Sequence, residues 1–155
     1  MKRPDQITVR SCTLEEIERS PTLADLLSAY GKESALSELG KSSPCMDTYR
    51  QMAASGVLHA IGAFAPELIG LATVLVFGLP HYGGKKIASM ESIFVLPEFR
   101  RGGTGLKLLR AAEDCAKGNG AAALMVSAPI GSRLEKVMSH SNYRATNCVF
   151  TKRLA

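Results

Sequence analysis

One short run constrains this chain more than any other: Arg100-Arg101-Gly102-Gly103-Thr104-Gly105, set between an apolar strand-like segment and an amphipathic helix. The first turn of a helix carries backbone N–H groups with no partner inside it. The helix dipole adds partial positive charge at that end. Glycines keep Cβ atoms out of the way, and two guanidinium groups add forked donors. Such a turn suits a phosphate-bearing ligand, best a pyrophosphate. Neither common nucleotide motif fits. There is no Gly-Lys-Ser/Thr here for a P-loop. Gly103 and Gly105 are followed by Leu108, where the dinucleotide fingerprint needs a third glycine.

The surrounding segments are read from their periodicity. Ile7–Arg10 is a short first strand. Thr13-Leu14-Glu15-Glu16 is a capping box opening a short helix. Pro21 starts a second helix with Leu23, Leu26, Leu27 and Tyr30 on one side. Gly31–Pro44 is a loop, and Asp47–Ala54 is helical. Val57–Phe64 and Leu68–Phe77 form a hairpin across Ala65-Pro66-Glu67. Leu79–Lys86 is a loop, and Ile87–Val95 is the fourth strand. Thr104–Lys117 aligns Leu108, Leu109, Ala112, Cys115 and Ala116 on one helix face. Ala121–Ala128 reads as a fifth strand buried on both sides. Ser132–Ser139 is a short helix, and Tyr143–Arg153 forms one or two final strands. The expected fold is α/β (α+β): one domain over residues 1–155, with a mixed, mostly antiparallel sheet and helices on both faces.

Composition narrows the function classes. The 155 residues are 46% hydrophobic and 21% charged, the profile of a soluble globular chain. Met1 to Gln6 show no apolar leader, so export by a signal peptide is not expected. The cysteines at 12, 45, 115 and 148 have no C-x-x-C spacing, so no metal site is expected. They read as reduced thiols of a cytoplasmic protein. The net charge of +5 is modest and the aromatics are few. Neither nucleic acid nor membrane is expected as a partner. His59 on its strand and the scattered methionines read as structural groups.

Arg100, Gly103 and Gly105 match the pattern R/Q-x-x-G-x-G/A. The string Glu91-Ser92-Ile93-Phe94-Val95-Leu96-Pro97-Glu98-Phe99 before them resembles the lead-in found in the GCN5-related N-acetyltransferase (GNAT) superfamily. The likeness is strong over residues 88–129 and weaker on either side. It implies that strands four and five splay apart and that the cofactor is acetyl-CoA (coenzyme A). Main-chain groups of Ile93, Phe94 and Val95 would hold the pantetheine arm. Arg100, Arg101, Gly102, Gly103, Thr104, Gly105 and Leu106 would form the pyrophosphate loop. A small-molecule or peptide amine would attack directly in a ternary complex, with homodimerisation left open.

The implied chemistry needs a base, an oxyanion donor and a thiolate partner. Glu91 is the first candidate base, acting through a water; the alternative is a strand-edge carboxylate paired with Arg or Lys. His81 is the second, since imidazole titrates near neutrality, and Tyr82 is a weaker third. The Val95 amide is the implied oxyanion donor. The tyrosine that many members place at the thiolate falls on Met138, which has no proton to donate. Ser139, His140, Tyr143 or a water would substitute, or the thiolate needs no acid. A binding module that holds acyl-CoA without turnover is the competing reading, and a nucleic-acid binder is a third.

Overall fold

In the computed structural model, residues 6–155 are described. Met1–Asp5, on which the expectation about a signal peptide rests, lie outside them. Five strands pair in the order β1-β2-β3-β4-β5. They are β1 (Thr8–Cys12), β2 (Leu58–Phe64), β3 (Leu68–Leu79), β4 (Lys85–Val95) and β5 (Leu124–Met125). The first four are antiparallel in sequence, and β5 is parallel to β4.

The helices are α1 (Leu14–Glu18), α2 (Leu23–Glu33), α3 (Met46–Ala54), α4 (Thr104–Gly118) and α5 (Arg133–Ser139). The capping box forms as expected. Thr13 Oγ1 accepts from the Glu16 amide at 3.1 Å, and Glu16 accepts from the Thr13 amide at 3.0 Å. Helix α2 starts at Leu23, with Pro21 in the preceding turn.

Two cores sandwich the sheet. On one face α4 presses Leu108, Leu109, Ala112 and Ala116 onto Ile61, Ala63, Ala72, Val74, Ala88 and Met90. This is the stripe that its sequence period dictates, and full burial of each leucine is worth about 1.5–3 kcal/mol. On the other face Ile17 of α1 and Leu26 of α2 cover Ala60, Leu68, Leu71 and Phe94.

Three expectations are corrected. The expected loop 79–86 is a tight hairpin: β3 runs to Leu79, Pro80–Tyr82 make one 3₁₀ turn, and β4 begins at Lys85. The fifth strand is two residues long instead of eight, and its residues range from half-buried to exposed. It stands at the sheet's edge, so nothing beyond it buries its outer side. No strand forms over Tyr143–Arg153. A strand needs a paired edge, and a two-residue β5 offers little to pair with.

Candidate active site

The site grows from one irregularity in β4. Thr73 of β3 faces Ser92, but Val74 faces Met90. Glu91 is therefore an extra residue, a β-bulge, which leaves an unpaired position and re-aims the side chains around it. Ala88 and Met90 belong to the α4 core, as do Ile93 and Val95, so the alternation changes phase between them. As a result the side chains of both Glu91 and Ser92 reach Thr73. Thr73 Oγ1 donates to Glu91 Oε2 at 2.5 Å and lies 2.6 Å from Ser92 Oγ. A hydroxyl has one proton and a carboxylate only accepts. Ser92 must therefore be the donor to Thr73, and the chain runs Ser92 to Thr73 to Glu91. The other carboxylate oxygen, Oε1, accepts from the Tyr49 hydroxyl of α3 at 3.0 Å. Burial first, then the neighbouring Glu91 charge and this bond, push the Tyr49 phenol above its ordinary value. It stays a proton donor throughout the neutral range. Tyr30 of α2 is also raised, first by burial and then by Glu91. Its ring tilts against Phe94 at 5.5 Å between centroids.

Beyond the bulge, one edge of β4 is free. Pairing with β5 stops at Ser89↔Met125. From Met90 to Val95 the strand bonds only to β3, so strands four and five splay as expected. The Leu96 amide bonds to Ile69 O of β3 at 2.9 Å. Groups alternate along a strand, so the Val95 amide and carbonyl face the open side. The carbonyl accepts from Arg100 Nε at 2.8 Å. Gly70 makes the opposite edge possible: a Cβ there would lie 2.8 Å from the Phe94 carbonyl oxygen.

At the end of this edge sits the glycine-rich turn. Gly102 and Gly103 have φ of 99° and 82°, in the left-handed region, which disfavours side chains. Gly103 is the N-cap of α4, and its carbonyl accepts the first helical bond, from the Lys107 amide at 3.0 Å. The amides of Thr104, Gly105 and Leu106 precede that bond and have no helical acceptor. An added Cβ at Gly102, Gly103 or Gly105 would meet nothing within 4 Å, so the turn opens onto free space. Thr104 is buried, and among the described residues its Oγ1 is a buried side-chain atom without a partner. These observations fit an anion seated on the turn.

Arg100 stands differently from its expected place. Its guanidinium donates to Glu33 Oε1 of α2 at 2.7 Å, lies over the Phe94 ring at 5.0 Å and holds the Val95 carbonyl. It ties α2 to the end of β4, while the exposed Arg101 and Leu106 stay at the turn.

The remaining candidates are not brought to Glu91. His81 lies in the 3₁₀ turn, edge-on to Tyr82. The Leu79↔Lys85 pair is six residues along β3 from Thr73↔Ser92, which puts His81 on the order of 20 Å from Glu91. The Tyr143 hydroxyl donates to Glu113 Oε1 of α4 at 2.9 Å. Burial, followed by that bond, raises its phenol. A cavity of about 480 Å³ lined by Ser11, Cys12, His59, Cys115 and Asn119 lies across β1, β2 and the end of α4 and contains no carboxylate.

Tyr49, Thr73 and Ser92 are missing from the sequence-derived set. Thr73 had a visible signal, being the polar residue inside the apolar run Leu68–Phe77. Tyr49 had none, because its approach to Glu91 spans 42 positions.

A splayed β4 edge leading to an anion turn, with a carboxylate at its bulge, is an arrangement suited to seating a phosphate-bearing ligand beside a general base. Residues 25–133 match the Acetyltransferase (GNAT) family, and the chain belongs to that family. Among curated proteins, none matches the sequence. Solved structures share the fold. A ribosomal-protein-alanine N-acetyltransferase from Brucella melitensis biovar Abortus 2308 is 17% identical with a TM-score of 0.76, over 97% of this chain and 99% of that one. An aminoglycoside acetyltransferase, meta-AAC0020, from an uncultured soil metagenomic sample is 17% identical with a TM-score of 0.75, over 96% and 97%. AAC(6')-Iy, in complex with the bisubstrate analogue CoA-S-monomethyl-acetylneamine, is 17% identical with a TM-score of 0.73, over 97% and 99%.

Proposed function

We propose that this chain is an acetyl-CoA-dependent N-acetyltransferase acting on a primary amine of a small molecule or peptide. The free edge of β4, running from the Glu91 bulge to the α4 turn, carries the reading. Acetyl-CoA supplies the acetyl group as a thioester open to attack by an amine. The unpaired amides of Thr104, Gly105 and Leu106, with Arg101 beside them, hold the pyrophosphate. Main-chain groups of Ile93 and Val95 on the open side bond the pantetheine arm, whereas those of Phe94, the third residue expected there, face Leu71 of β3.

Glu91 takes the proton that an ammonium must lose before its nitrogen can attack, through one water where needed. Its partners are neutral hydroxyls, so its charge is not cancelled and attracts a cationic acceptor. The Val95 amide donates to the carbonyl oxygen as negative charge develops there. Attack is direct, in a ternary complex; the side-chain partners of Glu91 are the hydroxyls of Thr73 and Tyr49, not a cysteine thiol. Unpaired cysteines support a cytoplasmic setting, and among the described residues no helix is long and apolar enough to cross a membrane.

Thiol release over an amine panel, with calorimetry of coenzyme A binding, tests the reading. Gly105→Glu places a carboxylate in the open space of the turn and is expected to abolish coenzyme A binding. Retained affinity would remove the turn from the site. Glu91→Gln is expected to lower turnover at least tenfold with coenzyme A affinity kept; unchanged turnover excludes Glu91 as the base. One observation favours a second reading, an acyl-CoA-binding module without turnover: the Tyr143 hydroxyl is already engaged by Glu113, and Met138 has no proton to give the thiolate. Coenzyme A binding with no release for any amine would establish that reading.

A further inference from the structure

Glu91 is gripped from both sides. Thr73 holds Oε2, and Tyr49, on a different layer of the molecule, holds Oε1. A carboxylate has about four lone-pair sites. The two grips use one on each oxygen and leave one on each free. The Thr73 grip comes from within the sheet and is fixed by the register of β3 and β4. The Tyr49 grip comes from α3, which packs on β2 and α1 and otherwise has no side chain bonded to β4 among the described residues. Its ring is half-buried, which restricts the hydroxyl to a small range of positions.

We propose that Tyr49 is a positioning residue for the proposed base: it fixes the Glu91 carboxylate so that its remaining lone pairs face the acceptor amine. This rests on the assignment of Glu91 made above. A glutamate side chain at an exposed bulge has free rotation about three bonds, and one anchor at Oε2 still allows the carboxylate to pivot. Two anchors on opposite oxygens define its plane. Misplacement of a catalytic group by about 1 Å is enough to cost on the order of a hundredfold in rate. The acceptor side of the site thereby depends on α3, an element with no side-chain hydrogen bond to the pyrophosphate turn among the described residues.

A double-mutant cycle separates this role from simple packing. Tyr49→Phe keeps the ring and removes the donor. It is expected to lower kcat about five- to twentyfold, leave the KM for acetyl-CoA unchanged and leave the melting temperature near that of the parent. The second background is Glu91→Asp, which keeps a carboxylate but withdraws it by one methylene from the reach of Tyr49. There, Tyr49→Phe is expected to change kcat by less than twofold. An equal loss in both backgrounds, or no loss in the parent, overturns the positioning role. Glu91→Gln with parental turnover overturns the base assignment, and this inference with it. Glu91→Gln that is slow beside an unimpaired Tyr49→Phe overturns the positioning role alone.

Discussion

At the scale of single residues, environment sets the chemistry of otherwise similar groups. Cys12, the last residue of β1, is half-buried against the α1–α2 core, and burial first, then the Glu16 charge, raises its thiol to about 11. Cys45 is exposed, and the hydrogen bond from Thr48 lowers its thiol. Only the thiolate reacts with an alkylating agent. Iodoacetamide at neutral pH is therefore expected to modify Cys45 well before Cys12, checked by mass spectrometry of timed digests. The sign of the pH effect follows from the same shift. In the unfolded chain Cys12 ionises near 9, and in the fold it does so near 11. The folded state retains the proton longer, so this contribution to stability is full below pH 9 and is lost as pH rises toward 11. Cys12→Ser should flatten the alkaline fall in melting temperature over that window.

At the scale of elements, backbone proximity and packing decide. Strand β3 approaches β4 at Gly70 and Val95 because Gly70 has no Cβ; an added one would stand 2.8 Å from the Phe94 carbonyl oxygen. Backbone cannot yield as a flexible side chain does. Gly70→Ala is expected to cost about 1–3 kcal/mol as overpacking and to weaken coenzyme A binding, since the displaced strand is the proposed pantetheine edge. Denaturation midpoints and calorimetry would measure the two effects. Helix α4 was legible almost to the residue, from Thr104 to Gly118, because its apolar stripe and glycine-rich start are local signals. Strand β5 was not, since its apolar run is equally compatible with a strand buried on both sides. Its length depends on where β4 stops offering a partner.

At the scale of the whole molecule, apolar surface is unevenly distributed. Leu108 is fully buried, while Phe150 is 92% exposed. Leu108→Ala is expected to cost about 2–5 kcal/mol, whereas Phe150→Ser should stay within about 0.5 kcal/mol. Thermal melts of the two variants check the contrast; a large loss at Phe150 would mean that a second copy or another partner covers it. The sequence alone determined the features that repeat over a few residues: the capping box, the α4 stripe, the β2–β3 hairpin and the glycine turn with its open amides. Tertiary structure decided the rest. It placed Arg100 on Val95 and Glu33, left residues 143–153 without a strand, set His81 at a distant hairpin tip and brought Tyr49 to Glu91. The physical reason is range. Helix periodicity and capping act between neighbours in the chain, whereas the bulge and the clamp on Glu91 arise where segments tens of residues apart meet.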